Sequence, residues 1–279
     1  RAIESLIKCG ALDRFGYSRR EMLENYDKIF GSVQGYSLKN MEGQINFFDA
    51  DNNNDGDSNS FSFERLPEYP LAVKLEMEKE IMGAYLSGHP LEDYSPYSKL
   101  CGMTDIARLY DELDPPKDGS EISLFCTLQC VKLYTQKNGA KMAFVTLEDM
   151  TGEAEGIIFA DILASNRDII TKGKSVHITA KLSYKDGEPK LIVNQIAEAA
   201  QCVLTLEKAS LYIRCRSDSP ALSEIMNICK ENPGETKVIF YLSDLKKKLT
   251  PKGAAGVKIS SVFADRIANT AGKENLALK

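Results

Sequence analysis

From Glu121 the chain alternates apolar and polar residues with a period of two, a pattern that half-buried strands satisfy and helices do not. "ISLFCTLQCVKLYT", "KMAFVTLED" and "AEGIIFA" read as three successive strands, the last two joined by the turn Met150-Thr151-Gly152-Glu153. Residues 161–170 read as a short helix. "SVHITAKLSY" and "PKLIVNQI" then form a hairpin around Lys185-Asp186-Gly187-Glu188, where the Asp-Gly pair favours a tight turn. Three strands, a helix and two strands within residues 120–200 are the order of a five-stranded OB-fold β-barrel.

The flanks follow a different period. Residues 2–10 predict a helix with Ile3, Leu6 and Ile7 on one face, stopped at Gly10. Ser18 with Glu21 three positions later has the form of a capping box and predicts a second helix to about Phe30. Residues 31–64 are rich in Gly, Asn, Asp and Ser and hold no sustained period, so they read as a long loop. Beyond Pro67 and Pro70, the spacing of Leu71, Leu75, Met82 and Leu86 predicts a helix over 71–87 that Gly88 and Pro90 end. A short helix at 104–113 precedes Pro115-Pro116, and Tyr94 and Tyr97 are expected to pack on the barrel. After the barrel, "ASLYIRC" is a strand, and Ser219-Pro220 provides a cap and an N1 proline for a helix through Cys229. Asn232-Pro233-Gly234 stops that helix; strands "KVIFYL" and "LKKKLT", a helix near 261–271 and a last strand "NLAL" complete a small α/β module. The expected fold is therefore multidomain α+β, with helical segments to residue 119, the barrel at 120–200 and the α/β module at 201–279.

Several function classes fall away on composition. No apolar run approaches the roughly 20 residues that cross a bilayer, so no membrane role is expected. Seven dispersed cysteines without a CxxC pair, beside two histidines, do not form a zinc pattern; they read as small buried hydrophobes of a reducing, cytoplasmic compartment. In "DNNNDGD", Asp51, Asn53, Asp55 and Gly56 resemble half an EF-hand loop, but Ser62 occupies the place of the bidentate Glu, and a solvated linker is the better reading. His89 has no nucleophile or carboxylate constellation near it in sequence and reads as a structural corner. No metal, cofactor or hydrolytic triad is expected. The net charge of −5 is uneven: residues 41–120 hold 17 acids against 6 bases, whereas 201–279 hold 13 bases against 8 acids. Any contact with nucleic acid is therefore local, and away from 41–120. The chain opens at Arg1 inside a helical pattern, which is expected of a piece of a longer protein.

One stretch inside the polar loop stands apart. "QINFF", residues 44–48, places Phe47 and Phe48 next to a run of Asn, Asp and Gly. Two readings stand: the rings fold back onto the preceding helices, or they serve a visiting partner.

Three stretches, "LIKCGALDRFGYSRREML", "EKEIMGAYLSGHPLEDY" and "KMAFVTLEDMTGEAEGIIFAD", resemble in this order the C-terminal part of the bacterial replicative polymerases of the DNA polymerase III alpha family. The resemblance covers essentially the whole chain, more loosely beyond about residue 200. It implies the end of a helix-hairpin-helix region (1–40), a flexible loop with a sliding-clamp-binding peptide (41–64), a helical linker (65–119), an OB domain (120–200) and a C-terminal module (201–279). It places the polymerase core, with its palm carboxylates, upstream, so this stretch is expected not to polymerise DNA alone. It also makes Gln44, Ile45, Asn46, Phe47 and Phe48 a clamp ligand, in which the Gln44 amide both donates and accepts and the two rings fill a groove. Phe47 stands where Leu or Met is also common.

For DNA, an OB fold uses strands two and three and the loops joining strands one to two and four to five. Those positions hold Lys137, Lys141, Phe144, Phe159, Tyr184 and Lys185, with cations between rings as single-stranded DNA requires. The other reading of Phe144 is barrel core. Lys8, Gly10, Ala11 and Arg14 surround a turn that resembles a helix-hairpin-helix element offering N–H groups to a duplex phosphate; the alternative is an ordinary interhelical turn. Lys246-Lys247-Lys248 reads as a solvated face, and the family implies a clamp-loader tau contact for the C-terminal module without assigning residues. The rival overall reading is a free-standing OB-fold binder of single-stranded nucleic acid.

Overall fold

The computed structural model describes residues 1–28, 30–31, 65–136, 139–185, 187–250 and 256–279. They form two units, Arg1–His89 and Pro90–Lys279. Gln44, Ile45, Asn46, Phe47, Phe48, Lys137, the Asp51–Ser62 stretch and the Asp186 turn position lie outside the described residues.

In the first unit, helix α1 (Ala2–Lys8) ends at a turn where Gly10 has φ +80°, and helix α2 (Arg19–Glu24) starts at Ser18. The capping box is present: the Ser18 hydroxyl accepts from the Glu21 N–H, and the Glu21 carboxylate accepts from the Ser18 N–H at 2.7 Å. Glu21 also accepts from the Leu66 N–H at 3.1 Å and Ser18 Oγ donates to the Leu66 carbonyl, so the cap grips the chain where it returns at residues 65–66.

Helix α3 (Leu71–Met82) departs from expectation in two respects. It stops at Gly83, whose left-handed φ of +71° closes the last turn before Gly88 is reached. Its inward positions are Leu75 and Glu78, while Leu71, Met82 and Leu86 are exposed, as are Ile3 and Leu6 of α1. The interior of this unit is organised by charge. Arg19, 1% exposed, meets Glu78, 0% exposed, at 2.8 Å and Asp13 at 2.9 Å, and donates to the Lys8 carbonyl at 3.1 Å and to Ser87 Oγ at 3.2 Å. A side chain on Gly10 would lie 2.2 Å from the Arg19 guanidinium, so only glycine admits this approach.

Glu78 accepts from the Leu86 N–H at 2.7 Å, the Ser87 N–H at 2.9 Å and the Ser87 hydroxyl. Burial alone would push this carboxyl up; hydrogen bonds from Ser87 and Leu86, with Arg19, outweigh it and take the pKa from 4.5 down to about 2. A depressed carboxylate stabilises fully above its unfolded value and ceases to as pH falls through the folded one. Glu78→Gln is expected to destabilise this unit by about 1–3 kcal/mol at neutral pH, because the buried Arg19 then loses one of its two carboxylate partners and keeps only Asp13. Amide exchange in residues 71–87, followed from pH 5 to 2, should show protection falling with acid in the parent chain. The variant should start low and respond less. An unchanged parent profile would contradict this account.

In the second unit, strands β1 (Glu121–Thr135), β2 (Lys141–Glu148), β3 (Glu153–Ile158), β4 (Ser175–Ser183) and β5 (Lys190–Glu198) close a barrel in the order β1-β2-β3-β5-β4. Alternation sends Leu124, Cys126, Leu128, Val145, Leu147, Ile178 and Leu191 inward. Helix α5 (Ala160–Ser165) follows β3 and buries Leu163 against the same core.

A second core adjoins the barrel. It gathers Leu91, helix α4 (Ser95–Cys101), Phe125 of β1, helix α6 (Ala199–Leu206) and the C-terminal module. Tyr94 stacks on Phe125 with ring centroids 5.5 Å apart, and Tyr97 packs in this core. Residues 90–119 thus group with the barrel and tail. In the module, β6 (Ser210–Cys215), helix α7 (Ala221–Glu231), β7 (Pro233–Leu242), β8 (Lys247–Leu249), β9 (Gly256–Val257), helix α8 (Ser261–Ala271) and β10 (Leu276–Leu278) follow in turn. The sheet order is β10-β6-β7-β8, with β9 on β7 and β6 parallel to β7 across the α7 crossover. Several details differ from the sequence reading, among them helix α4 and strand β9, which it did not expect. Helix α6 was not foreseen. Pro220 occupies the N-cap itself, and no side chain caps α7. Strand β7 begins at Pro233, so one tripeptide both ends a helix and opens a strand.

Candidate nucleic-acid interface

Strand β1 changes character at a register shift between Leu128 and Cys130. Before it, the strand is largely buried on both sides; after it, burial falls away and residues 132–135 are exposed on both sides. Cross-strand pairing then sets a row on the outside of β1, β2 and β3. Lys132 faces Phe144, and Phe144 faces Ile157. Next along, Tyr134 faces Met142, and Phe159 just past β3 continues that side by alternation. Tyr134 and Phe144 meet edge-on with centroids 6.2 Å apart.

Phe144 is 43% exposed, Phe159 45% and Tyr134 51%, and the exposed Lys141 starts β2. The barrel interior is filled by the neighbours of Phe144, Ala143 and Val145, so the core reading of Phe144 is set aside. Lys132 and Lys141 have no ion-pair partner among the described residues, whereas Glu155 on the same side of β3 is paired with Lys190 at 3.5 Å. Uncommitted cations beside open aromatic faces suit a single strand: bases stack and phosphates pair.

The remaining residues singled out in the sequence lie elsewhere. Tyr184 is pinned, its hydroxyl donating to the Leu109 carbonyl at 3.0 Å and its N–H to Asp118, and Lys185 is exposed beyond it. At the α1 turn, the Gly10 N–H donates to the Ile7 carbonyl and the Ala11 N–H to the Leu6 carbonyl, each at 3.0 Å. Lys8 pairs with Glu4 at 3.1 Å, and Arg14 is exposed. The Gly10 and Ala11 N–H groups are therefore engaged within the turn. Lys132 and Tyr134 are additions from the structure. Their signal was present in "VKLYT", where a strand longer than its barrel neighbours must run past the core.

Among the described residues no group of three or more His, Cys, Asp or Glu side chains could hold a metal ion, and no helix is long and apolar enough to cross a membrane. Cys126 and Cys229 are buried and the other five cysteines partly so. Burial pushes the Cys101 thiol up to about 12 and Cys229 to about 11, far from a reactive thiolate.

A closed barrel in this strand order is an OB fold, and an OB-fold nucleic acid binding domain family matches residues 128–199. Over most of its length the chain is similar to DNA polymerase III alpha subunits. It is 26% identical to that of Borreliella burgdorferi over 262 residues, covering 90% of this chain and 22% of that protein. Against Bacillus subtilis the identity is 27% over 286 residues, covering 99% and 24%. Against Halalkalibacterium halodurans it is 28% over 292 residues, covering 100% and 24%. The chain thus spans between a fifth and a quarter of the length of these relatives.

The outer row should be dispensable for folding. Phe144→Ala and Tyr134→Ala are expected to change unfolding free energy by no more than about 1 kcal/mol, against about 2–5 kcal/mol for Leu147→Ala in the barrel core. Urea titration measures all three. A Phe144 loss equal to that of Leu147 would return Phe144 to the core.

Proposed function

We propose that this chain is an accessory, non-catalytic region of a bacterial replicative polymerase alpha subunit, acting in the cytoplasm during chromosome replication. It holds single-stranded template DNA on the outer β1–β2–β3 face of the barrel and tethers the enzyme to the sliding clamp through residues 44–48. The observation that carries the DNA reading is the exposed outer side formed by Lys132, Tyr134, Phe144 and Phe159, with Lys141 at the start of β2; Lys137 and Lys185 join the reading from the sequence alone. The clamp reading is supported by the "QINFF" pattern and by the relatives' identity. Tethering acts through effective concentration: a weak peptide anchor on a ring around DNA makes rebinding intramolecular. Tau contact through the C-terminal module, and a duplex-phosphate contact near Lys8, Gly10, Ala11 and Arg14, belong to the same reading. A free-standing single-strand binder is the weaker alternative, because similarity to the alpha subunits extends through the helical and C-terminal parts.

Two measurements test this. Replacing Lys132, Lys141 and Lys185 with Ala should weaken binding of a labelled oligonucleotide and reduce the slope of log affinity against log salt by about 2, since each lost phosphate contact in a single strand removes about 0.7. An unchanged slope rejects this face.

Phe47→Ala with Phe48→Ala should weaken clamp binding by roughly a hundredfold or more, each buried ring contributing roughly 1.5–3 kcal/mol. Gln44→Ala should cost less, about 1–3 kcal/mol. Melting of the double variant should match that of the parent. If melting falls while clamp binding survives, the phenylalanines belong to a core instead.

A further inference from the structure

Among the described residues, the C-terminal sheet is covered on one face only. Leu211, Ile213, Val238, Phe240, Leu276 and Leu278 point to helices α7 and α8, which bury Ile225, Ile228, Phe263 and Ile267 against them. The alternate residues face a cavity of about 460 Å³ lined by Tyr212, Arg214, Tyr241, Lys248, Leu276, Lys279 and their neighbours.

Register arranges this face in three cross-strand rows. Lys279, Ser210 and Lys237 form the first, through the paired Ser210 and Lys279 backbones and the Ser210–Lys237 pairing. Ala277, Tyr212 and Ile239 form the second. Arg214, Tyr241 and Lys248 form the third. Rows two residues apart along a strand are separated by about 6.8 Å. Cations therefore stand in both outer rows, with Tyr212 in the middle row and Tyr241 between Arg214 and Lys248 in the third.

The Lys248 ammonium lies 5.2 Å from the Tyr212 ring centroid, so that ring presents its π-face to the cavity. Arg214, Lys237, Lys248 and Lys279 make no ion pair among the described residues, and the acid lining the cavity is Glu274. The segment from residue 201 on is also the most basic part of the chain.

We propose that this uncovered face is a second single-stranded nucleic-acid site, in which Tyr212 and Tyr241 stack bases while Arg214, Lys237, Lys248 and Lys279 hold phosphates. A sheet presenting rings and cations on one open face is a stacking platform for unpaired bases, tolerant of sequence because every base has a π-face. Lys248 sits on a flexible stem, so a base displaces it from Tyr212 and its ammonium turns to the adjoining phosphate. The site does not depend on the barrel face: it is built on a different sheet from different residues.

The test uses the full chain and a labelled thymidine oligonucleotide of about ten nucleotides carrying a photoreactive 5-iodouracil, within the span of one such site. Crosslinked peptides are mapped by mass spectrometry. Crosslinks at Tyr212 or Tyr241 are expected, and Arg214→Glu with Lys248→Glu should lower their yield at least about fivefold at an unchanged melting temperature. Crosslinks on the barrel should persist in that variant, which separates failure of this site from failure of the barrel reading. If crosslinks never fall within residues 210–215 or 237–249, or survive the charge reversal, the proposal is overturned. It is equally overturned if a polyglutamate peptide of matching length and charge displaces the oligonucleotide from this face as well as unlabelled DNA does, since the face then accepts acidic protein segments.

Discussion

Phe125 stands between two cores, and the second unit is organised around that fact. Its neighbours Leu124 and Cys126 point into the barrel, while Phe125 points outward to Tyr94, Tyr97 and the C-terminal module. One strand therefore serves as a wall for both interiors, and neither closes without it. Period-two alternation makes this possible, because successive side chains leave a strand on opposite sides. The cost of shifting the register of β1 by one residue would fall on both cores at once.

The same strand explains where the exposed face lies. Up to Leu128 both sides are occupied; past the irregularity at Cys130 the outer side has no cover, and Lys132 and Tyr134 come to the surface beside Phe144. A rigid, doubly buried half holds an open half in position. That is a sound way to present aromatic rings to a ligand without ordering them at the time of binding.

The barrel was legible in the sequence because its signals are local: alternation, a helix between strands three and four, and an Asp-Gly turn. The module's sheet was legible for the same reason. The first unit was not, in the part that matters. Leu71, Met82 and Leu86 share a helical spacing that predicts a buried stripe, yet the buried group beside Leu75 is Glu78. Its partner Arg19 lies 59 positions earlier, a pairing that no periodicity encodes. Of the candidate DNA-binding residues, Phe144, Phe159 and Lys141 were read from strand order, whereas Lys132 and Tyr134 required noticing that β1 outruns its neighbours, and the register shift that turns them outward has no local signal.

The composition of the second core fixes an order of events in synthesis. All five barrel strands are in hand once the chain has reached Glu198. The second core, to which Phe125 belongs, draws Leu91, Tyr97 and Leu100 from before the barrel and Phe263, Ile267 and Leu278 from near the far end of the unit. Lys99 on α4 pairs with Asp265 on α8, joining the two extremes of this unit. A chain emerging from the ribosome can close the barrel and lay Tyr94 on Phe125 early, but the second core stays incomplete until helix α8 and strand β10 arrive. Long-range closure of that kind is slow and leaves adhesive surface exposed in the interval. The barrel can thus be finished before the core that leans on its wall.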